Sequence, residues 1–175
     1  MRNVLGVAMV ALVGAACSKP LETVQASQAG GDDYVVPVPP GYALVTDPRA
    51  QQIAGAGAVT LAAERQGDLF VASIAIVPIA APLTALPVDA AACDRESAGV
   101  TVYGVTRDSF AMATIGDQTA CTYQVTDKQD SQRGARSTVM RGTRRGYSVT
   151  CNYDKRDADA PRACDALLAG WQRLP

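Results

Sequence analysis

Four cysteines constrain this chain most: Cys93, Cys121, Cys151 and Cys164, an even set spread over the second half of the sequence. No two of them form the C-x-x-C pair of a thiol oxidoreductase. Their spacing is also too wide for the close thiolate pairs of a four-cysteine zinc site. Disulfides are the remaining use, and they require an oxidising compartment. Four cysteines allow three pairings, so the elements that carry them have to choose among these. A fifth, Cys17, stands apart near the start.

The N-terminus provides such a compartment. Met1-Arg2-Asn3 is a short basic start, Val4 to Ala16 is an apolar run, and Val13-Gly14-Ala15-Ala16-Cys17 closes it. The run has signal-peptide length and falls short of the ~20 residues of a membrane span. Small residues before a cysteine resemble the bacterial lipobox, with Gly14 where leucine is usual. The resemblance implies removal of residues 1–16 and lipidation of Cys17, hence a palmitate-bearing lipid anchor and a place in the cell envelope. Ser18 implies the outer membrane, facing the periplasm, over the inner membrane in a Gram-negative host. Residues 17–34 read as lipidated cysteine and flexible tether, with a reach of roughly 20–25 Å. Val35-Val36-Pro37-Val38-Pro39-Pro40-Gly41 then stiffens toward polyproline II. Residues 35–175 make one domain.

With 48% hydrophobic and 19% charged residues the chain packs a core, and with 5% aromatics that core is mainly aliphatic. Val59 to Glu64 and Leu69 to Val77 read as strands joined by a turn at Arg65 to Asp68, the second apolar on both faces and therefore central. Asp89 caps a helix from Ala90 to Ala98 that stops at Gly99. Strand is expected again over Val100 to Tyr103 and Ser109 to Ile115. In Cys121 to Thr126, the residues Cys121, Tyr123 and Val125 share a face. Arg136 to Arg141 and Tyr147 to Tyr153 form a hairpin whose second strand turns Tyr147, Val149, Cys151 and Tyr153 to one side. Asp157 or Asp159 caps a last helix, with Pro161 in its first turn and Cys164, Leu167, Leu168, Trp171 and Leu174 on one stripe. Trp171 and Tyr147 are assigned to the core. Helices beside a largely antiparallel sheet make an α+β domain. When the last helix folds over the last strand, Cys151 meets Cys164. The short helix likewise brings Cys93 to Cys121. The expected bridges are Cys93–Cys121 and Cys151–Cys164, each pinning a helix to the sheet.

Pro40-Gly41-Tyr42, the early hairpin, the Gly146 to Cys151 strand and the capped helix ending in Trp171 together resemble the PsbP-like fold over Val35 to Pro175. That is an α/β/α sandwich found in photosystem accessory proteins and bacterial lipoproteins. The resemblance implies a non-enzymatic accessory or assembly module and brings no catalytic or ligand motif with it.

Chemistry is narrowed by absence. There is no histidine, which removes the commonest general base, the Ser-His-Asp and Cys-His systems and every His-ligated metal. A formal net charge of −1, or −2 once Arg2 is lost, gives no steering toward nucleic acid. No cofactor, metal or catalytic residue is expected. Lys128, Arg133, Arg136, Arg141, Arg144 and Arg145 form the densest charge, a candidate basic face for another envelope protein, lipid headgroups or an acidic glycan. The plainer reading is a solvated hairpin guarded by charge, with Asp127 and Asp130 diluting the patch. Asp154 to Asp159 lacks the ligand alternation and terminal Glu of an EF-hand. Gly55-Ala56-Gly57 is a turn fragment without a following Gly-Lys-Ser/Thr. The leading expectation is a lipid-anchored binding or scaffolding module. The alternatives are a small-ligand carrier with a pocket between helix and sheet and, last, a hydrolase using carboxylates such as Asp94 and Glu96.

Overall fold

The computed structural model describes residues 22–26, 33–48, 52, 57–63 and 72–174. Cys17, the signal, the Arg65 to Asp68 turn and the start of the strand after it lie outside these. No described helix is long and apolar enough to cross a membrane.

The element order is β1 (Thr23–Ala26), β2 (Tyr34–Pro37), β3 (Tyr42–Leu44), β4 (Val59–Ala63), β5 (Ser73–Ile79), α1 (Ala90–Gly99), β6 (Val105–Ile115), β7 (Gln118–Asp127), β8 (Arg133–Arg141), β9 (Gly146–Asp154), α2 (Asp159–Ala169) and β10 (Gln172–Arg173). Short 3-10 turns occupy Leu83–Ala85 and Val100–Tyr103. Seven strands form one sheet in the order β3-β4-β5-β9-β8-β7-β6, and β1-β2-β10 form a second. Every pairing is antiparallel. The fold is the α+β, disulfide-stapled arrangement that the sequence implies, and β5 sits inside the sheet between β4 and β9.

Alternation along the strands sorts the two faces. Tyr147, Val149 and Cys151 of β9, Met140 of β8 and Ile74 and Ile76 of β5 face a core closed by α2 and the small sheet. Cys121, Tyr123 and Val125 of β7 and Val139 of β8 face the opposite way, against Cys93 of α1 and Leu86. Each layer is tied down covalently, Cys151 to Cys164 on α2 and Cys93 to Cys121 from α1. The Cα atoms stand 6.1 and 5.4 Å apart respectively, within the range a disulfide spans. Asp89 caps α1 as its position implies, its Oδ1 accepting from the Ala92 amide at 2.8 Å.

Five expectations are corrected. The stretch assigned to the tether contains strand: Thr23 to Ala26 pair with Tyr34 to Pro37, and Ala26 is buried, its carbonyl accepting from the Tyr147 hydroxyl at 3.3 Å. The domain therefore starts earlier than residue 35. For the same reason Val35 and Val36 are not free polyproline; β2 is flanked on both sides, with Pro37 at its end where a missing donor costs least. Val100 to Tyr103 is a 3-10 turn, because α1 runs straight on and Thr101 Oγ1 donates to the Ala98 carbonyl at 2.9 Å. Local bonding there overrides the β preference of valine and threonine. At α2 the cap position is Ala158, with no side-chain cap; Asp157 Oδ1 accepts instead from the Asp159 amide. Because α2 ends at Ala169, Trp171 and Leu174 lie beyond the helix, Trp171 still buried against the core.

Gly146 shows why the Gly-Tyr-x-Val-Thr-Cys strand begins with glycine. A Cβ there would come 2.3 Å from Leu86 Cδ1 and 2.7 Å from the Met140 carbonyl oxygen. Leu86 could turn aside, but the carbonyl belongs to the β8 ladder. Gly146→Ala is expected to lose about 1–3 kcal/mol, read as a lowered urea midpoint.

Candidate functional site

The five arginines singled out from sequence do not form one patch. Arg133 begins β8 beside Asp130, its Nε 3.3 Å from Asp130 Oδ2. Arg136 turns under α2, its Nη1 2.7 Å from Asp165 Oδ1 and its other nitrogen donating to the Pro161 carbonyl at 3.4 Å. Arg141, Arg144 and Arg145 sit at the far end of the hairpin, and Arg145 donates to the Ala80 carbonyl. Eight strand steps, roughly 27 Å, separate Arg133 from Arg141. Arg136, its side chain 15% exposed, is used to seat a helix.

The carboxylates are also apart. Asp94 and Glu96 are two residues apart on α1, a spacing that puts side chains on different sides. Asp94 Oδ1 accepts from Arg107 Nη1 on β6, while the same nitrogen donates to the Asp94 carbonyl and Ser97 Oγ at 2.9 and 2.8 Å. Arg107 also lies 4.9 Å over the Phe110 ring. These contacts pin α1 to β6. In the Asp154 to Asp159 loop, hydrogen bonds from the Arg156 side chain and amide hold the Asp154 carboxyl down at about 2. That carboxylate is matched to a guanidinium within its own turn. Among the described residues no three His, Cys, Asp or Glu side chains gather as a metal site.

A feature not found from sequence is a cleft of about 540 Å³ beside α1. The segment Thr84 to Asp89 forms one wall; Ala92, Glu96 and Gly99, spaced along one side of α1, form the other. Leu86 and Pro87 are buried in it, whereas Val88 and Tyr103 stand at the rim 49% and 82% exposed. Arg95 and Glu96 add one charge of each sign. Glu96 also acts on the sheet beneath: the Tyr123 hydroxyl is raised above its usual value by burial, a hydrogen bond from Ser137 opposing and the Glu96 carboxylate adding to the rise. No pattern in the sequence points to this cleft; Gly104, with φ +80°, turns the chain out of the 3-10 segment at its rim. The cleft joins the buried Leu86 and Pro87 to the exposed Tyr103 at its rim, with the charged side chains of Asp89, Arg95 and Glu96 in its lining.

Gln118 is the odd residue in the core. It is 2% exposed, and neither of its amide atoms has a hydrogen-bond partner. Both amide atoms are closed off from solvent, although the residue borders a hollow lined by Thr119, Arg141 and Thr143. Gln118→Leu, similar in volume, is expected to raise stability by about 1–3 kcal/mol; an unchanged or lower urea midpoint would show the amide to be engaged.

No protein-family model matches the chain, and no curated protein matches it. Solved structures do. The solution structure of cyanobacterial PsbP (CyanoP) from Synechocystis sp. PCC 6803 is similar with a TM-score of 0.59 at 13% identity, covering 92% of this chain and 96% of that one. A crystal structure from Bacteroides thetaiotaomicron VPI-5482 is similar with a TM-score of 0.53 at 9% identity, over 81% of this chain. The chain spans 45% of that protein's length. At such identities the likeness is one of fold alone: this domain is similar in fold to that PsbP structure over most of both chains.

Proposed function

We propose that this protein is a lipid-anchored lipoprotein of the cell envelope, held through Cys17, whose domain binds or scaffolds another envelope component without catalysis. The cleft beside α1 is the binding surface. The observation that carries this reading is the join of two features. One is a lipobox-like start ending in Cys17. The other is a domain in which all four remaining cysteines are consumed in two bridges, as suits an oxidising compartment. Exposed Tyr103 and Val88 over a buried Leu86 floor have the makeup of an interface anchor.

Metabolic labelling with a palmitate analogue tests the anchor. The wild-type chain is expected to incorporate label and fractionate with membranes, and Cys17→Ala to do neither. Unlabelled, uncleaved product in the cytosol would remove the reading. A photo-crosslinking residue in place of Tyr103 tests the cleft. A discrete adduct with one envelope component, missing when the probe replaces Arg144, supports it. A small molecule retained in native mass spectrometry with no protein adduct would transfer the cleft to the carrier class.

A further inference from the structure

Among the described residues β6 has β7 on one side and no strand on the other. It is 11 residues long. A register shift between Arg107 and Ser109 marks a bulge at its start, after which Ser109 to Ile115 runs regularly against β7. Such a stretch is what most edge strands avoid: it has no proline and no charge over SFAMATI, and its Phe110 is 38% exposed.

We propose that this edge pairs with the same edge of a second copy, making one continuous sheet across a two-fold axis at Met112. The reason for choosing a second copy lies in the ladder. Ile115 and Gln118 close the hairpin over Gly116-Asp117, where Gly116 has φ +59°. A two-residue turn of this kind makes the closing pair a hydrogen-bonded one, and such pairs alternate along the ladder. Ile115, Ala113 and Ala111 therefore spend their amides and carbonyls on β7. Thr114, Met112 and Phe110 turn theirs outward. Those outward groups are symmetric about Met112. An antiparallel copy places Met112 opposite Met112 and Phe110 opposite Thr114, and every outward donor meets an acceptor. Within Ser109 to Ile115 this register brings no charge opposite another, so the seam rests on its backbone hydrogen bonds alone. A contact resting on one strand pair falls below the ~1,200 Å² of a standard interface and belongs to the weak, concentration-dependent class. The inference is independent of the cleft and of the lipid anchor.

The experiment is sedimentation of the chain, purified in the processed form its host produces, over a concentration series extending into the millimolar range. The expected result is a mass rising from one chain toward two. Thr114→Pro removes an outward amide and leaves the β7 ladder whole; it is expected to stay a monomer with an unchanged far-ultraviolet spectrum. Thr114→Lys, which keeps the amide and adds a charge to the seam, gives the same reading should the proline variant fail to fold. A wild-type chain that stays monomeric throughout overturns the proposal, as does a dimer that persists in both variants. A photo-crosslinker replacing Phe110 that joins the edge to a different protein, and not to itself, overturns self-pairing in favour of a foreign strand.

Discussion

Trp171→Ala is expected to lower the unfolding free energy by about 3–5 kcal/mol. Trp171 is buried to 2% exposure. Its ring lies 5.2 Å from that of Tyr34 on β2 and 5.6 Å from that of Tyr147 on β9, and the two tyrosines are 5.4 Å apart, edge to face. Three layers meet in this triangle: the end of α2, the small sheet and the seven-stranded sheet. Aromatic pairs of this geometry add about 0.5–1.5 kcal/mol each beyond the area they bury. Truncation also leaves a cavity that two rings fixed in separate sheets cannot close. Trp171→Phe separates packing from the indole amine. Trp171 Nε1 has no hydrogen-bond partner, so phenylalanine keeps most ring contact and gives up no hydrogen bond. Its expected loss is under ~1.5 kcal/mol. Because Trp171 is the only tryptophan, both variants are followed by urea titration with circular dichroism. An alanine variant with an unchanged midpoint would mean that the triangle is not the junction of the layers.

Reduction of the two bridges is expected to unfold the domain at physiological temperature. Cys151–Cys164 closes a loop of 13 residues and Cys93–Cys121 one of 28. Chain-entropy estimates put each at about 3–4 kcal/mol. The loops do not overlap in sequence, so their effects add to a first approximation. Their sum is comparable with the ~5–15 kcal/mol total of an ordinary domain. Single pairs replaced by alanine should each leave a folded protein with a lowered midpoint, and the fourfold replacement should leave none. A fourfold variant that unfolds cooperatively near the wild-type midpoint would contradict this. It would mean that the bridges follow a fold already complete without them.

The elements legible in the sequence were those with strong, uninterrupted pattern. The alternation of Cys121, Tyr123 and Val125 and of Tyr147, Val149 and Cys151 fixed which side each strand buries. Those faces, with the stripe through Cys164, were enough to choose one of three disulfide pairings. What escaped was short or decided by distant partners. Four residues at Thr23 to Ala26 have no periodicity to read; they are strand because β2 offers them a ladder. The basic patch failed for a related reason. Arg133, Arg136 and Arg141 are close in sequence, but a strand spreads its residues over length and over two faces. The cleft was invisible because its walls come from a loop and a helix whose approach is set by Leu86 docking on the sheet.

The small sheet has a consequence for the order in which the molecule is finished. Its middle strand, β2, has β1 on one side and only Gln172 and Arg173 on the other, and the Leu174 amide donates to the Asp33 carbonyl at 2.9 Å. A nascent chain can assemble the β6 to β9 meander as it emerges. Its amino-terminal strands must wait for residues 172–174 to emerge before their second neighbour exists. Loss of the segment after Gly170 would thus expose β2 and strip Tyr34 of its indole cover at the opposite end of the sequence.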